Sequence, residues 1–356
     1  MAKIDPLLLH MLENNASDLH LVLGQPPKYG LHGHVKAIEG MAPLAKKDME
    51  GYLFELISKE QRDEYLQTHD LDFSYGIEGQ ARYRCNYFFQ RTGYGAVYRL
   101  IPSKILTIEE LKLPPIINKL TELRSGLVLV TGPTGSGKTT TLAAMIDYIN
   151  HRQRRHILTI EDPIEFVHKN DKSIISQREV GAHTDSFASA LRGVSRQDAD
   201  VVLVGELRDL ETIGLALTAA AMGTLVYGTL HTNSAAKTID RIIDIFPIDQ
   251  QPQIRTMLAE SLRGIVAQQL LRTRDGQGRV AANEILLGNF ALAAIIREGH
   301  IERIASVLQS GRREGMQLMD DALKDLVDRG VIEGRDAYMK AVEKRRFEDY
   351  AEDHVA

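Results

Sequence analysis

One stretch limits what this chain can fold into more than any other: Gly132-Pro-Thr-Gly-Ser-Gly-Lys-Thr139, preceded by an apolar run. It meets the G-x-x-x-x-G-K-T pattern at every fixed position. Gly135 and Gly137 let the backbone curl so that several N–H groups point inward at a phosphate. Lys138 adds positive charge for β- and γ-phosphates, and the Thr139 hydroxyl can bind Mg2+. Gly132, Pro133, Thr134, Ser136 and Thr140 complete the candidate nucleotide-binding loop. Leu142, Met145, Ile146 and Ile149 follow at helical spacing. A phosphate would therefore meet a helix N-terminus, where unpaired N–H groups and the helix dipole favour an anion.

The surrounding grammar is that of an α/β protein. Apolar runs at 127–131, 156–160, 201–204 and 225–229 alternate with helical segments, which predicts a mainly parallel sheet wrapped by helices. Residues 1–100 read differently, as a small α+β domain. A helix starts over 7–12, a strand covers 18–22, a helix covers 47–65, and strands follow at 71–75, 82–89 and 96–100. Residues 101–115, punctuated by Pro102, Pro114 and Pro115, form the expected linker. The domain from 116 to 356 closes with a charged helical stretch whose last dozen residues are expected to be solvated.

A length of 356 residues suits two such domains. The net charge of −5 gives no electrostatic footprint for nucleic acid. The single cysteine, Cys85, excludes an intramolecular disulfide and a multi-cysteine zinc site, and reads as a small packed residue. Residues 1–10 lack the apolar core of a signal peptide. The most apolar later stretch, 213–228, is broken by Thr218, Gly223 and Thr224 and reads as helix, turn and strand rather than a span. The expectation is a cytoplasmic protein with no direct membrane insertion.

Other strand ends carry chemistry. Val201-Val-Leu-Val-Gly-Glu206 is a buried strand ending in an acid, the Walker B arrangement. An acid there lies at the carboxyl edge of the sheet, where α/β proteins bind ligands. Glu206 would stand beside Mg2+; a helix-capping or surface glutamate would look the same in sequence. Thr159-Ile-Glu-Asp-Pro-Ile-Glu165 brings Glu161, Asp162 and Glu165 towards that edge, and one of them can orient or deprotonate water. A solvated acidic turn is the alternative. Gly228-Thr-Leu-His231-Thr232 ends a further strand in a histidine suited to hydrogen-bond a γ-phosphate. Arg82 and Arg84 are two apart on an expected strand and so share a face, and Arg99 ends the next strand.

With these motifs, the chain resembles the secretion ATPases of type II secretion and type IV pili, in particular the PilT-like retraction ATPases. Ala16-Ser-Asp-Leu-His-Leu21 with Pro26-Pro27, the Walker A loop, the Thr159–Glu165 "Asp box", Val204-Gly-Glu-Leu-Arg-Asp-Leu-Glu-Thr212 and the Gly228–Thr232 "His box" stand in family order. Ser234-Ala-Ala-Lys-Thr-Ile-Asp-Arg241 and Phe246-Pro247 also match. The resemblance implies a PAS-like N-terminal domain and a RecA-like P-loop domain. It implies a homo-hexamer that hydrolyses ATP with Mg2+ and works on an inner-membrane pilus platform protein, with a paralogous pilus ATPase as a further partner. It makes Glu165 the catalytic base, Glu206 the magnesium-side acid, and Arg82, Arg84 and Arg99 fingers across the cleft. Pilus assembly, type II secretion and a monomeric P-loop small-molecule kinase are the rivals. The sequence departs from the family at Gly30 and Thr224, in Arg196-Gln-Asp-Ala-Asp200, and in the retraction signature, here Ala291-Leu-Ala293 then Ile296-Arg-Glu298.

Overall fold

The computed structural model describes residues 1–31, 34–101 and 104–351, so Pro102 of the expected linker lies outside the described residues. The chain divides into two compact units. The first is Met1–Lys104 together with Pro163–Val167; the second is Ile105–Asp162 together with His168–Ala356.

The first unit comprises α1 (Asp5–Glu13), β1 (Asp18–Val22), β2 (Lys28–Leu31), β3 (His34–Ala37), α2 (Lys46–Leu53), α3 (Lys59–Thr68), β4 (Asp70–Ile77), β5 (Ala81–Gln90) and β6 (Gly93–Ile101). Its six strands form an antiparallel sheet in the order β3-β2-β1-β6-β5-β4. β5 alternates buried and half-buried residues along most of its length, the signature of a strand with one face on a core. That core is rich in tyrosine. Tyr83 and Tyr87 are fully buried, and each hydroxyl donates to a backbone carbonyl, of Leu8 and Leu53 respectively. Burial of these polar tips is tolerated because each has a partner. Cys85 is buried among them, as its sequence suggested.

The helix expected over 47–65 is in fact two helices. The first ends at Leu53, and Ser58 caps the second, accepting from Gln61 N while the Gln61 side chain accepts from Ser58 N. This Ser-x-x-Gln capping box is a start signal that outranks charge spacing.

The second unit holds α4 (Ile116–Thr121), β7 (Gly126–Thr131), α5 (Lys138–Arg152), β8 (His156–Glu161), β9 (Ile174–Glu179), α6 (Phe187–Leu191), β10 (Val201–Val204), α7 (Leu210–Ala221), β11 (Leu225–Leu230), α8 (Ala235–Asp244), α9 (Gln251–Ser261), β12 (Leu262–Arg272), β13 (Arg279–Leu287), α10 (Phe290–Glu298), α11 (Ile304–Ser310), α12 (Met319–Asp328) and α13 (Gly334–Lys340). Seven strands run in the order β13-β12-β7-β11-β10-β8-β9, parallel except for the β12–β13 hairpin at one edge. β7, β10 and β11 are buried at every position, as befits strands covered on both faces. Ile108 and Leu113, from the expected linker, belong to this unit's core with Ile117 and Leu120.

The C-terminal end also differs from expectation. A 3-10 turn over Lys344–Tyr350 packs Phe347, fully buried, against the cluster of Leu323, Leu326 and Ile332. Within the dozen expected to be solvated, Phe347 is a buried anchor and the other described residues, 345–346 and 348–351, are exposed or half-buried, while residues 352–356 lie outside the described residues.

Candidate active site

Parallel pairing places the carboxyl ends of β7, β11, β10 and β8 side by side. Each of these ends carries one of the motifs. β7 runs into the loop 132–137, which turns into α5. Gly132, Gly135 and Gly137 all have positive φ, at 146°, 78° and 86°. At Gly132 a side chain would also collide, since an added Cβ would lie 2.2 Å from the Gln268 carbonyl oxygen. Pro133, Thr134 and Gly135 are exposed, Thr139 and Thr140 are half-buried, and Ser136 and Lys138 are buried. Lys138 folds back over the loop, its Nζ donating to the carbonyls of Gly132 at 2.9 Å and Pro133 at 3.1 Å.

The loop is braced from the neighbouring strand by a residue that sequence reasoning missed. Gln268 of β12 is buried and donates through Nε2 to the Ser136 carbonyl at 2.6 Å. Its Oε1 accepts from the Thr141 hydroxyl at 2.8 Å. The available signal was a glutamine pair, Gln268 and Gln269, inside an apolar strand.

Beside the loop, a cleft of about 510 Å3 is lined by Thr140, Thr141, Gln268, Leu106, Leu270 and Val331, among others. Phosphates held by the loop would leave a nucleoside facing such a cleft.

Glu206 follows β10 and His231 follows β11. The two meet, with His231 Nε2 at 3.3 Å from Glu206 Oε1. The other carboxylate oxygen, Oε2, pairs with Arg208 Nη2 at 2.7 Å. Burial pushes the Glu206 carboxyl up, but the hydrogen bond and charge of Arg208, with His231 adding to them, outweigh burial and hold it below the usual range. Arg208 lies within the quoted Walker B string, yet its role as partner of Glu206 was not read from it. Glu161, the last residue of β8, is buried and accepts from Thr159 Oγ1 at 2.6 Å and Gln177 Nε2 at 3.2 Å. The strand ends are tied together, Gly205 N donating to the Ile160 carbonyl at 2.8 Å and Leu207 N to that of Thr229 at 3.0 Å.

The donor set present, a hydroxyl at the helix start and a carboxylate at a strand end, is of the hard-oxygen kind. It fits Mg2+, which takes few protein ligands and completes its shell with phosphate oxygens and water. Among the described residues no group of three or more His, Cys, Asp or Glu forms a stand-alone metal site.

The remaining candidates belong to the first unit. Glu165 lies in Pro163–Val167, half-buried between buried Ile164 and Phe166. The chain thus leaves the sheet's unit at Pro163, a departure that the sequence spacing did not reveal. Arg82, Arg84 and Arg99 share a face of the first unit's sheet, Arg84 lying directly across from Arg99. Arg82 donates to Ser74 Oγ at 2.9 Å, Arg84 lies 3.7 Å from Asp72, and Arg99 pairs with Asp18 at 2.8 Å.

A mainly parallel sheet whose carboxyl edge gathers a P-loop, an acid and a histidine defines a P-loop ATPase. The sequence matches the family described as Type II/IV secretion system protein over residues 2–348. It is 48% identical to the type IV pilus retraction ATPase PilT of Pseudomonas aeruginosa, covering 95% of this chain and 98% of that one. It is 40% identical to the type IV pilus ATPase PilU of the same organism, over 95% of this chain and 88% of that one. A crystal structure of the pilus retraction motor PilT with bound ADP superposes with a TM-score of 0.90 at 43% identity, covering 98% and 99% of the two chains. The chain belongs to the Type II/IV secretion system protein family.

Proposed function

We propose that this chain is a hexameric ATP-hydrolysing motor that powers type IV pilus retraction. The observation that carries the reading is the convergence of loop 132–139, Glu206, His231 and Glu161 on one sheet edge, in a chain similar to a retraction ATPase along nearly its whole length. In this reading the loop N–H groups and Lys138 bind the phosphates, and the neighbouring cleft takes the nucleoside. Thr139 and Glu206 would hold Mg2+, which supplies neutralisation of the phosphate charge that builds up during transfer. Glu161 holds the sheet edge together through its bonds from Thr159 and Gln177. His231 contacts the terminal phosphate and reports its loss. Glu165 orients and deprotonates the attacking water. Arg82, Arg84 and Arg99 meet the transition-state charge as fingers.

Among the described residues no helix is long and apolar enough to cross a membrane. The proposal therefore includes a cytoplasmic ring bound peripherally to the inner membrane through a platform protein. Deleting the gene and scoring twitching and surface pili tests the output, with phosphate release by the purified chain as the partner assay. Lost twitching with excess surface pili is the expected result; unchanged motility and piliation would overturn the retraction role.

A second reading is favoured by one observation. The retraction signature is altered at Ala291-Leu-Ala293. The chain would then be an accessory paralogue of the retraction motor. Complementation of single and double deletions separates the two readings.

A further inference from the structure

Both carboxylate oxygens of Glu206 are engaged by side chains, Arg208 on Oε2 and His231 on Oε1. The two arrangements are unequal. His231 is brought by a different strand end, whereas Arg208 lies two residues beyond Glu206 on the same loop. Its backbone is fixed on the far side, because Asp209 caps α7 by accepting from Thr212 N at 2.8 Å and Thr212 Oγ1 at 2.7 Å. The Arg208 side chain itself is 63% exposed, so it is a free lever on an anchored base. Asp162, the first residue after the neighbouring strand β8, is the other carboxylate that attracts it.

A guanidinium hydrogen-bonded to a carboxylate oxygen takes up the lone pairs that a metal would use, and its charge repels a divalent cation at contact range. We propose that Arg208 is a positioning residue that competes with Mg2+ for Glu206. Arg208 holds the carboxylate in register, and gives it up as the metal binds. The displaced guanidinium stays at the same sheet edge as the phosphate loop, where its charge favours a triphosphate over a diphosphate. This rests on the reading of Glu206 as the magnesium-side acid. A bridge serving stability alone would contribute little at this exposure, and its removal would not tighten a metal.

The test uses the full-length chain saturated with ADP and titrated with Mn2+ as a spectroscopic substitute for Mg2+, free Mn2+ being followed by electron paramagnetic resonance. Arg208→Ala and the longer neutral Arg208→Gln should bind Mn2+ roughly three- to tenfold more tightly than wild type, the scale of one partly exposed charge. Arg208→Lys, which keeps the charge, should stay within about twofold of wild type on the same basis. The preference for ATP over ADP should fall in both neutral variants. Unchanged or weaker Mn2+ binding in a neutral variant with a wild-type unfolding curve overturns the proposal. Glu206→Gln separates this failure from that of the underlying reading. If Glu206→Gln weakens Mn2+ binding while the arginine variants do nothing, only the role of Arg208 is lost. If Glu206→Gln leaves Mn2+ binding unchanged, the magnesium-side assignment falls, and the proposal with it.

Discussion

Gln268 and His168 are the side chains whose removal says most about single-residue energetics. Gln268 satisfies a loop carbonyl and a helix hydroxyl at once. Gln268→Leu should leave both buried groups unpaired, costing about 1–3 kcal/mol, with a matching drop in nucleotide affinity measured by calorimetry. His168 is buried, and burial pushes its imidazole down to about 4 from an ordinary value of 6.5. Between those two values the unfolded chain binds the extra proton and the folded chain does not. His168 therefore favours folding above about pH 6.5, and stability is lost as pH falls towards 4, by up to about 3 kcal/mol. Urea unfolding at pH 7 and pH 4.5 should show that loss, and His168→Gln should shrink it; an identical pH slope in the variant would assign the loss elsewhere. Lys138→Ala should abolish productive nucleotide binding, whereas Glu165→Gln should bind and not turn over, because an amide cannot accept the proton. Turnover at the wild-type rate in Glu165→Gln would remove it as the base. The residues proposed to bind phosphate were readable because that chemistry requires fixed spacings along the chain. Gln268 and Arg208 were not, because what they do depends on partners that only folding brings near.

At the scale of elements, α10 tests whether motor and output are separate. Leu292 and Ile296 are buried while Arg297 and Glu298 are exposed, so the helix packs by one face and offers the other. Changing Arg297 and Glu298 together to Ala should shift stability by no more than ~0.5 kcal/mol, sparing ATP turnover and hexamer formation while reducing retraction. Normal twitching in the double variant would remove this segment from the mechanism. Ala293→Arg has room to be accepted, because Ala293 and Arg297 line a cleft of about 480 Å3. The strands β7, β8, β10 and β11 were legible because continuous burial on two faces leaves continuous apolar runs. β9, with its half-buried Ser176, Gln177 and Arg178, lies at the sheet edge and carries no such run. β2 and β3 are only four residues each, β2 mostly half-buried and β3 exposed throughout, so no alternation marks them. The break between α2 and α3 was visible only to a reader of the Ser58–Gln61 pair, and Ser58→Ala should cost about 1 kcal/mol in thermal unfolding.

At the scale of the whole molecule, the arginines define the decisive experiment. Arg82, Arg84 and Arg99 lie in one unit and the phosphate loop in the other. If they complete the site, Arg82→Ala or Arg99→Ala should lower turnover by roughly 10³-fold or more while changing nucleotide affinity little. Equal losses in both would make these residues structural. Mass measurement by light scattering checks the ring directly, and a monomer would revive the kinase alternative. The two-unit plan was legible from the change of pattern near residue 100, but the excursion of Pro163–Val167 was not, because nothing in its composition says which unit it joins. That excursion has a consequence for how the protein is made. Buried Ile164 and Phe166, with the rest of Pro163–Val167, belong with a unit whose remaining residues all precede position 105. A ribosome that has released the first 104 residues has therefore not yet released a whole first unit. The first unit must stay incomplete while two strands and the nucleotide loop of the second are synthesised, so it cannot finish folding in strict order from the N-terminus, and no single cut in the gene separates the two units cleanly.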